Sequence, residues 1–220
     1  MAKVRVWDLP TRLFHWALVA CVAGLVITGQ VGGDAMQLHF RLGYSALTLV
    51  LFRLIWGFVG GYWSRFVVFV PSPMRLLAYL KSGDKTRVSV GHSPLGALSV
   101  LGLMLAVLLQ IGAGLMSDDE VLASGPLVAK VPPDWVPWAS FFHTEVGKWI
   151  LIGLVLLHIA AIVWYRIKKA DDLVGPMLLG DKALDGSHIG SRDDLRSRVG
   201  ALIVLALCGT AVAALVRWAQ

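Results

Sequence analysis

Six histidines are the residues of this 220-residue sequence with the widest chemical scope. A neutral imidazole ligates iron and other transition metals, and imidazole also exchanges protons near neutral pH. Two of the six histidines lie inside long apolar runs, and two more lie where such runs begin. An ionisable side chain is costly in lipid, so one placed in an apolar run usually faces a protein interior and has a function. The four are His15, His39, His143 and His158.

Five apolar runs must position these histidines. Hydrophobic residues make up 57% of the chain and charged residues only 15%, well below the quarter that is usual in soluble domains. Each run is close to the ~20 residues that a helix needs to cross ~30 Å of hydrocarbon, and none alternates as a barrel strand would. We therefore predict an all-α integral membrane protein. Its predicted spans cover about residues 13–28, 42–59, 94–116, 142–167 and 199–216.

The loops between the apolar runs alternate in charge. The N-terminal tail and the loops at 60–91 and 168–198 are basic, whereas the loops at 30–37 and 117–141 are neutral or acidic. Basic loops stay in the cytoplasm, so we predict a cytoplasmic N-terminus and a C-terminus on the outer side. The same loops account for the net charge of +6 without any nucleic-acid partner. Charges of the second and third loops include Arg65, Arg75, Lys85, Arg87, Asp118, Asp119 and Glu120.

This topology gives each of the four histidines a depth in the membrane. His15 lies near the cytoplasmic face, and His39 and His143 lie near the outer face. His158 follows His143 by fifteen residues, which places it about 22 Å deeper along the fourth span at ~1.5 Å per residue. The sequence therefore predicts two pairs, His15 with His158 on the cytoplasmic side and His39 with His143 on the outer side.

Two histidines on different helices can hold the iron of a flat haem between them. Each predicted pair therefore indicates one bis-histidine haem, and two such haems would form an electron path across the bilayer. On spacing alone, a proton path or another transition-metal site remains open.

Two arginines are candidate partners for the anionic propionates of such haems, because buried anions need cationic or hydrogen-bonding partners. Arg12 lies one turn before His15, and Arg53 lies within the second span on its cytoplasmic side. We expect Arg53 to contact a propionate or a quinone; the alternative is that it extends to the lipid headgroups. His92 begins the third span, where it is either an interfacial residue or a proton carrier for a quinone.

Short motifs in four of the five runs match one known family. The most specific is the string VWDLPTRLFHW at 6–16; shorter ones are LHxxxGY at 38–44, GHSPxG at 91–96, and HTE and LHIA at the two ends of the fourth span. Together they resemble the bacterial cytochrome b561 family, which includes the b-type cytochrome subunits of nickel–iron hydrogenases. The resemblance covers about residues 4–182. It implies a four-helix bundle with two haem b groups, held by His15, His39, His143 and His158.

The resemblance also implies a task and a location. It implies a bacterial inner-membrane protein that passes electrons between a quinone pool and a redox partner, either a c-type cytochrome or another redox subunit. The di-haem domain would cover residues 1–182, and residues 183–220 would add a cytoplasmic loop and a fifth span with a periplasmic C-terminus. Two alternatives remain: a stand-alone quinol oxidoreductase acting on oxygen or superoxide, and a haem-free transporter or assembly scaffold. A homo-oligomer also remains open.

The spacing on the fourth span departs from the family pattern by one residue. The resemblance implies fourteen residues between its two histidines, whereas fifteen separate His143 from His158. A π-bulge takes up one extra residue in a helix and is frequent at functional sites. We therefore expect a π-bulge in the fourth span if His143 is a ligand.

Overall fold

The protein is described by a computed structural model that covers residues 2–81, 89–119 and 123–219. Lys85, Arg87 and Glu120, three of the loop charges named above, lie outside these residues. The described helices are α1 (Leu9–Val31), α2 (Ala35–Val59), α3 (Phe66–Phe69), α4 (Pro73–Lys81), α5 (Pro94–Leu115), α6 (Trp135–Phe141), α7 (Lys148–Lys169), α8 (Val174–Leu179) and α9 (Leu195–Ala219). The described residues also form two strands, β1 (Ala2–Arg5) and β2 (Asp181–Leu184), two 3₁₀ turns (Tyr62–Ser64 and Val128–Lys130) and a π-helical turn (Phe142–Gly147).

Five helices of the described chain are long and apolar enough to cross a membrane: α1, α2, α5, the continuous helix from α6 to α7, and α9. They confirm the predicted all-α membrane fold with five spans. Several helices begin earlier than the apolar runs: α2 begins at Ala35 instead of residue 42, and α9 begins at Leu195 instead of residue 199. Helical hydrogen bonding continues through polar residues, so hydropathy alone does not mark where a helix starts.

The fourth span is interrupted by the π-helical turn Phe142–Gly147. In such a turn each N–H bonds to the carbonyl five residues earlier, so the turn contains one residue more than an α-helical turn. The turn contains His143 and ends before His158, which lies on α7. The expected π-bulge is therefore confirmed, and it takes up the extra residue between these two histidines.

The chain divides into two compact units. Unit 1 comprises Met1–Phe14, Arg53–Gly102 and Val155–Val204, and unit 2 comprises His15–Phe52, Leu103–Leu154 and Leu205–Gln220.

In unit 1 a buried carboxylate joins the start of α1 to the end of α2. Asp8 is fully buried, and its Oδ1 caps α1 by accepting the backbone N–H of Thr11 at 2.8 Å. Its oxygens also accept hydrogen bonds from the indole N–H of Trp56, the backbone N–H of Gly61 at 2.9 Å and the hydroxyl of Ser64 at 3.0 Å. These donors offset the cost of burying the charge.

A two-stranded antiparallel ribbon in unit 1 joins distant parts of the chain. In its register Arg5 on β1 lies opposite Asp181 on β2, and their side chains form an ion pair at 2.8 Å. Gly180 precedes β2 with a φ of +94°, a left-handed conformation that glycine adopts without steric cost. Its carbonyl accepts the backbone N–H groups of Val6 and Trp7 at 2.9 and 3.1 Å.

Asp193 fastens the start of α9 to the same region of unit 1. Its Oδ1 accepts the backbone N–H of Leu9 and the Nε–H of Arg198, both at 3.1 Å, and its Oδ2 lies 3.3 Å from Arg5 Nη1. Burial acts to raise the pKa of Asp193, but the hydrogen bonds from Arg198 and Leu9 and the charges of Arg198 and Arg5 outweigh it and hold the pKa below its ordinary value.

In unit 2 the link between α1 and α2 is made by Gly32 and Gly33, whose φ angles are +66° and +53°. Both lie in the left-handed region, which favours glycine. In the same unit, Lys130 Nζ lies 5.3 Å from the ring centre of Trp218, near the end of α9. This cation–π contact ties the fifth span to the loop that follows α5.

Candidate functional site

Unit 2 brings His39 and His143 together. His39 lies in the second turn of α2, and His143 lies in the π-helical turn. Their ring centres are 6.1 Å apart and their planes are nearly perpendicular, at 87°. Metal–imidazole bonds are about 2 Å long, so two rings that hold one ion from opposite sides have centres about 6 Å apart. The distance therefore fits one metal ion held between the two imidazoles.

Hydrogen bonds fix which nitrogen of each ring is free. His143 Nδ1 lies 2.8 Å from the backbone carbonyl of Gln110, and since a carbonyl only accepts, Nδ1 carries the proton. His39 Nδ1 lies 3.1 Å from the hydroxyl of Thr28, which donates its own proton to the carbonyl of Gly24 at 2.7 Å and so accepts from Nδ1. In both rings the lone pair is left on Nε2, as in histidines that ligate metals.

The two histidines line a cavity of about 310 Å³ in unit 2. Its walls are mostly apolar side chains of α1, α2, α5 and the fourth span, such as Leu25, Val107 and Ile111. Polar side chains also line it, among them Ser140 and Lys148. An apolar cavity with a few polar groups suits a flat hydrophobic cofactor with an anionic edge, and the ammonium of Lys148 is a candidate partner for that edge.

Glycines make room for the imidazoles. A Cβ added at Gly114 would lie 2.6 Å from His143 Cε1, closer than real Cβ atoms approach their neighbours. A Cβ at Gly29 would lie 3.3 Å from His39 Cε1. The glycine on α5 therefore allows the ring of His143 to reach the Gln110 carbonyl.

In unit 1 Arg53 is only 3% exposed, so its side chain does not extend to the surface. Its guanidinium lies 4.9 Å from the ring centre of Phe66 and 5.8 Å from that of Phe69. Its buried Nη1 has no hydrogen-bond partner among the described residues. A buried donor without a partner is costly, which makes Arg53 a candidate to bind an anion.

His92 packs beside Arg53 in unit 1. Its ring centre lies 4.7 Å from that of Trp7 and 4.6 Å from that of Phe69, and its Nδ1 is buried. Burial, followed by the charges of Arg53 and His158, lowers the pKa of His92 to about 3. The imidazole is therefore neutral at physiological pH, which disfavours a proton carrier that works near neutrality.

The remaining predicted site residues are His15, His158 and Arg12. His158 on α7 belongs to unit 1, and His15 on α1 belongs to unit 2; their pairing stays a prediction. Arg12 donates to the carbonyl of Leu178 at 2.7 Å and lies 3.9 Å from Asp193. These contacts give Arg12 protein partners, and its predicted contact with a propionate is likewise untested.

Sequence reasoning missed Gln110, Thr28 and Gly114 as parts of the site. The signal for Gln110 was present, since an amide inside the apolar run at 94–116 is costly in lipid. Thr28 and Gly114 carry no such signal, because threonine and glycine are common in membrane helices.

Residues 6–180 match the sequence profile of the prokaryotic cytochrome b561 family. The chain belongs to this family. It is therefore a multi-pass membrane cytochrome of the b type, whose prosthetic group is haem b, and the resemblance seen in its motifs is confirmed. No solved structure matches this cytochrome at a significant level.

Several relatives of the cytochrome carry the same kind of name. A probable Ni/Fe-hydrogenase B-type cytochrome subunit of Bradyrhizobium diazoefficiens is 26% identical over 81% of this chain and 85% of the relative. A probable Ni/Fe-hydrogenase 1 B-type cytochrome subunit of Escherichia coli (strain K12) is 23% identical over 86% of this chain and 94% of the relative. A corresponding subunit of Azotobacter vinelandii is 25% identical over 80% and 87% of the two chains.

Proposed function

We propose that this cytochrome carries electrons between a quinone pool and a partner redox protein through two bis-histidine haem b groups. The observation that carries the proposal is the pair His39 and His143, whose ring centres are 6.1 Å apart. Both rings donate from Nδ1 and keep Nε2 free. Haem b, when bound, supplies a one-electron couple at its iron.

The residues around this pair have separate tasks. His39 and His143 would hold the iron, while Thr28 and the Gln110 carbonyl fix the orientation and protonation of the two rings. Apolar side chains such as Val107 line the cavity and would shield a bound haem from water. A dry, apolar surrounding favours the less charged state of a redox centre, so these side chains help to set its potential.

His15 and His158 would hold the second haem. Support for this comes from unit 1, where the charges of the buried Arg53 guanidinium and of His158 both lower the pKa of His92. A propionate would satisfy the free Nη1 of Arg53. The four spans within residues 1–182 would then form the di-haem domain, and residues 183–220 would add the loop and the fifth span.

The names of the relatives support a redox enzyme as partner. Each of the three is named as the cytochrome subunit of a hydrogenase, and we propose that this cytochrome also serves a membrane-bound redox enzyme. The basic loops support an N-terminus in the cytoplasm and a C-terminus in the periplasm of the inner membrane.

A reduced-minus-oxidised spectrum with haem quantified per chain tests the proposal. The purified protein is expected to show b-type bands and two haems. His39→Ala and His143→Ala should each remove the same haem, and His15→Ala and His158→Ala should each remove the other. His188→Ala is the control, because His188 lies in the loop between β2 and α9, where its Nε2 is 2.8 Å from the carbonyl of Asp185. Absence of b-type bands, or loss of different haems in the His39 and His143 variants, would contradict it.

A further inference from the structure

The side chain of Gln110 contacts the same histidine as the backbone of Gln110. Its Nε2 donates to the backbone carbonyl of His143 at 2.8 Å, while its own backbone carbonyl accepts from His143 Nδ1 at 2.8 Å. One residue of α5 thus holds both the main chain and the ring of His143. The amide orientation is fixed by chemistry, because the His143 carbonyl requires a donor.

The π-helical turn is built to receive this amide. Gly147 is the last residue of the turn and is buried, and a Cβ at that position would overlap Gln110 Oε1 and lie 2.6 Å from Phe142 Cε1. Any side chain at residue 147 would therefore displace the Gln110 amide. A π turn persists where an external group inserts into the hydrogen-bond ladder of a helix, and Gln110 supplies such a group here.

From these contacts we infer that Gln110 is a positioning residue that sets the redox potential of the haem held by His39 and His143. The inference rests on the proposed function, because it requires His143 to be a haem ligand. By inserting into the π-helical turn, the Gln110 side chain holds the His143 imidazole against the Gln110 carbonyl. A ring that donates from Nδ1 to a carbonyl is a more basic ligand at Nε2, which stabilises the oxidised iron and lowers the potential.

Redox titration of Gln110→Met tests this role. Methionine keeps the length of the side chain but cannot donate to the His143 carbonyl. The midpoint potential of the haem that is lost in His143→Ala is expected to rise, and the other haem should keep its potential. Gln37→Met is the matched control: it makes the same exchange in the first turn of α2, outside the cavity lining, and should leave both potentials unchanged.

If Gln110→Met loses the haem, its potential cannot be measured, and a second variant tests the role of Gln110. Gly147→Ala leaves the glutamine in place but displaces its amide, so the same haem should shift in the same direction. If His143→Ala loses one haem while Gln110→Met and Gly147→Ala leave its potential unchanged, the role of Gln110 is overturned and the proposed function stands. If His143→Ala retains both haems, the ligand assignment itself fails.

Discussion

At the residue scale, Gly114 and the imidazole it faces show how the site depends on a missing side chain. The His143 ring reaches the Gln110 carbonyl across the position that a Cβ at residue 114 would occupy. Gly112, two residues earlier on the same helix, has no atom of the described residues within 4 Å of its hypothetical Cβ. Substitutions at these two glycines therefore distinguish the steric requirement at residue 114 from the general effect of glycine on helix stability.

Gly114→Ala is expected to weaken haem binding at the His39–His143 site, because the ring must move away from the added Cβ. Changes in the groups that orient a ligand typically cost 10–100-fold in affinity, so we expect a loss of roughly that size for one haem. The measurement is haem content per chain, with the bands of each haem resolved in the difference spectrum.

Gly112→Ala should keep both haems at wild-type occupancy, since the added methyl group meets open space. Equal haem loss in the two variants would show that helix rigidity, and not contact with His143, is what matters at these positions.

At the element scale, the attachment of α9 to the start of α1 rests on Asp193. The pKa of this carboxyl is held below its ordinary value by hydrogen bonds and charges that outweigh the effect of burial. A group with a lowered folded-state pKa contributes stability above its unfolded pKa, about 3.9 for aspartate, and the contribution is lost as the pH falls through the folded-state pKa.

We therefore expect the melting temperature of the purified protein to fall as the pH drops below about 4, because the aspartate of the unfolded chain takes up a proton there while the folded Asp193 still resists protonation. Asp193→Asn should melt at a lower temperature than the wild type at neutral pH and should lose less on acidification. Asp185→Asn, in the loop between β2 and α9, is a control for a general effect of surface charge. A wild-type pH profile identical to that of Asp193→Asn would contradict the assignment.

The elements also show what the sequence could and could not predict. The five spans follow from apolar runs. The π turn could be expected only by comparison with the family spacing, which has one residue fewer between the two histidines, and only if His143 is a ligand. The ribbon of Ala2–Arg5 with Asp181–Leu184 could not be predicted, because two four-residue strands far apart in the chain carry no local pairing signal. The partners of Arg12 were missed for the same reason, since Leu178 and Asp193 are close to it only in the fold.

At the scale of the whole molecule, the number of spans decides on which side of the membrane each terminus lies. The described chain contains five candidate spans, and an odd number of crossings places the two termini on opposite faces of a membrane. In the topology proposed above, the N-terminus and the loop before α9 lie in the cytoplasm.

Reporter fusions to the full chain test this topology. Alkaline phosphatase fused to the C-terminus should be active, because it folds in the periplasm, whereas a fluorescent protein fused there should remain dark. The same fluorescent protein at the N-terminus should be bright and serves as the control for expression. A bright C-terminal fusion would mean that one of the five helices does not cross the membrane.

The contact between Arg5 and Asp181 has a consequence for biosynthesis. Translation proceeds at about 5–20 residues per second, so β2 leaves the ribosome roughly 10–40 s after β1. Asp193, which accepts the backbone N–H of Leu9, follows later still. The first span must therefore enter the bilayer before the ribbon and the Asp193 contact exist. Asp8 can bind Gly61 and Ser64 once α2 has been made, but the contacts of Arg5 and Leu9 form only when α9 is being made.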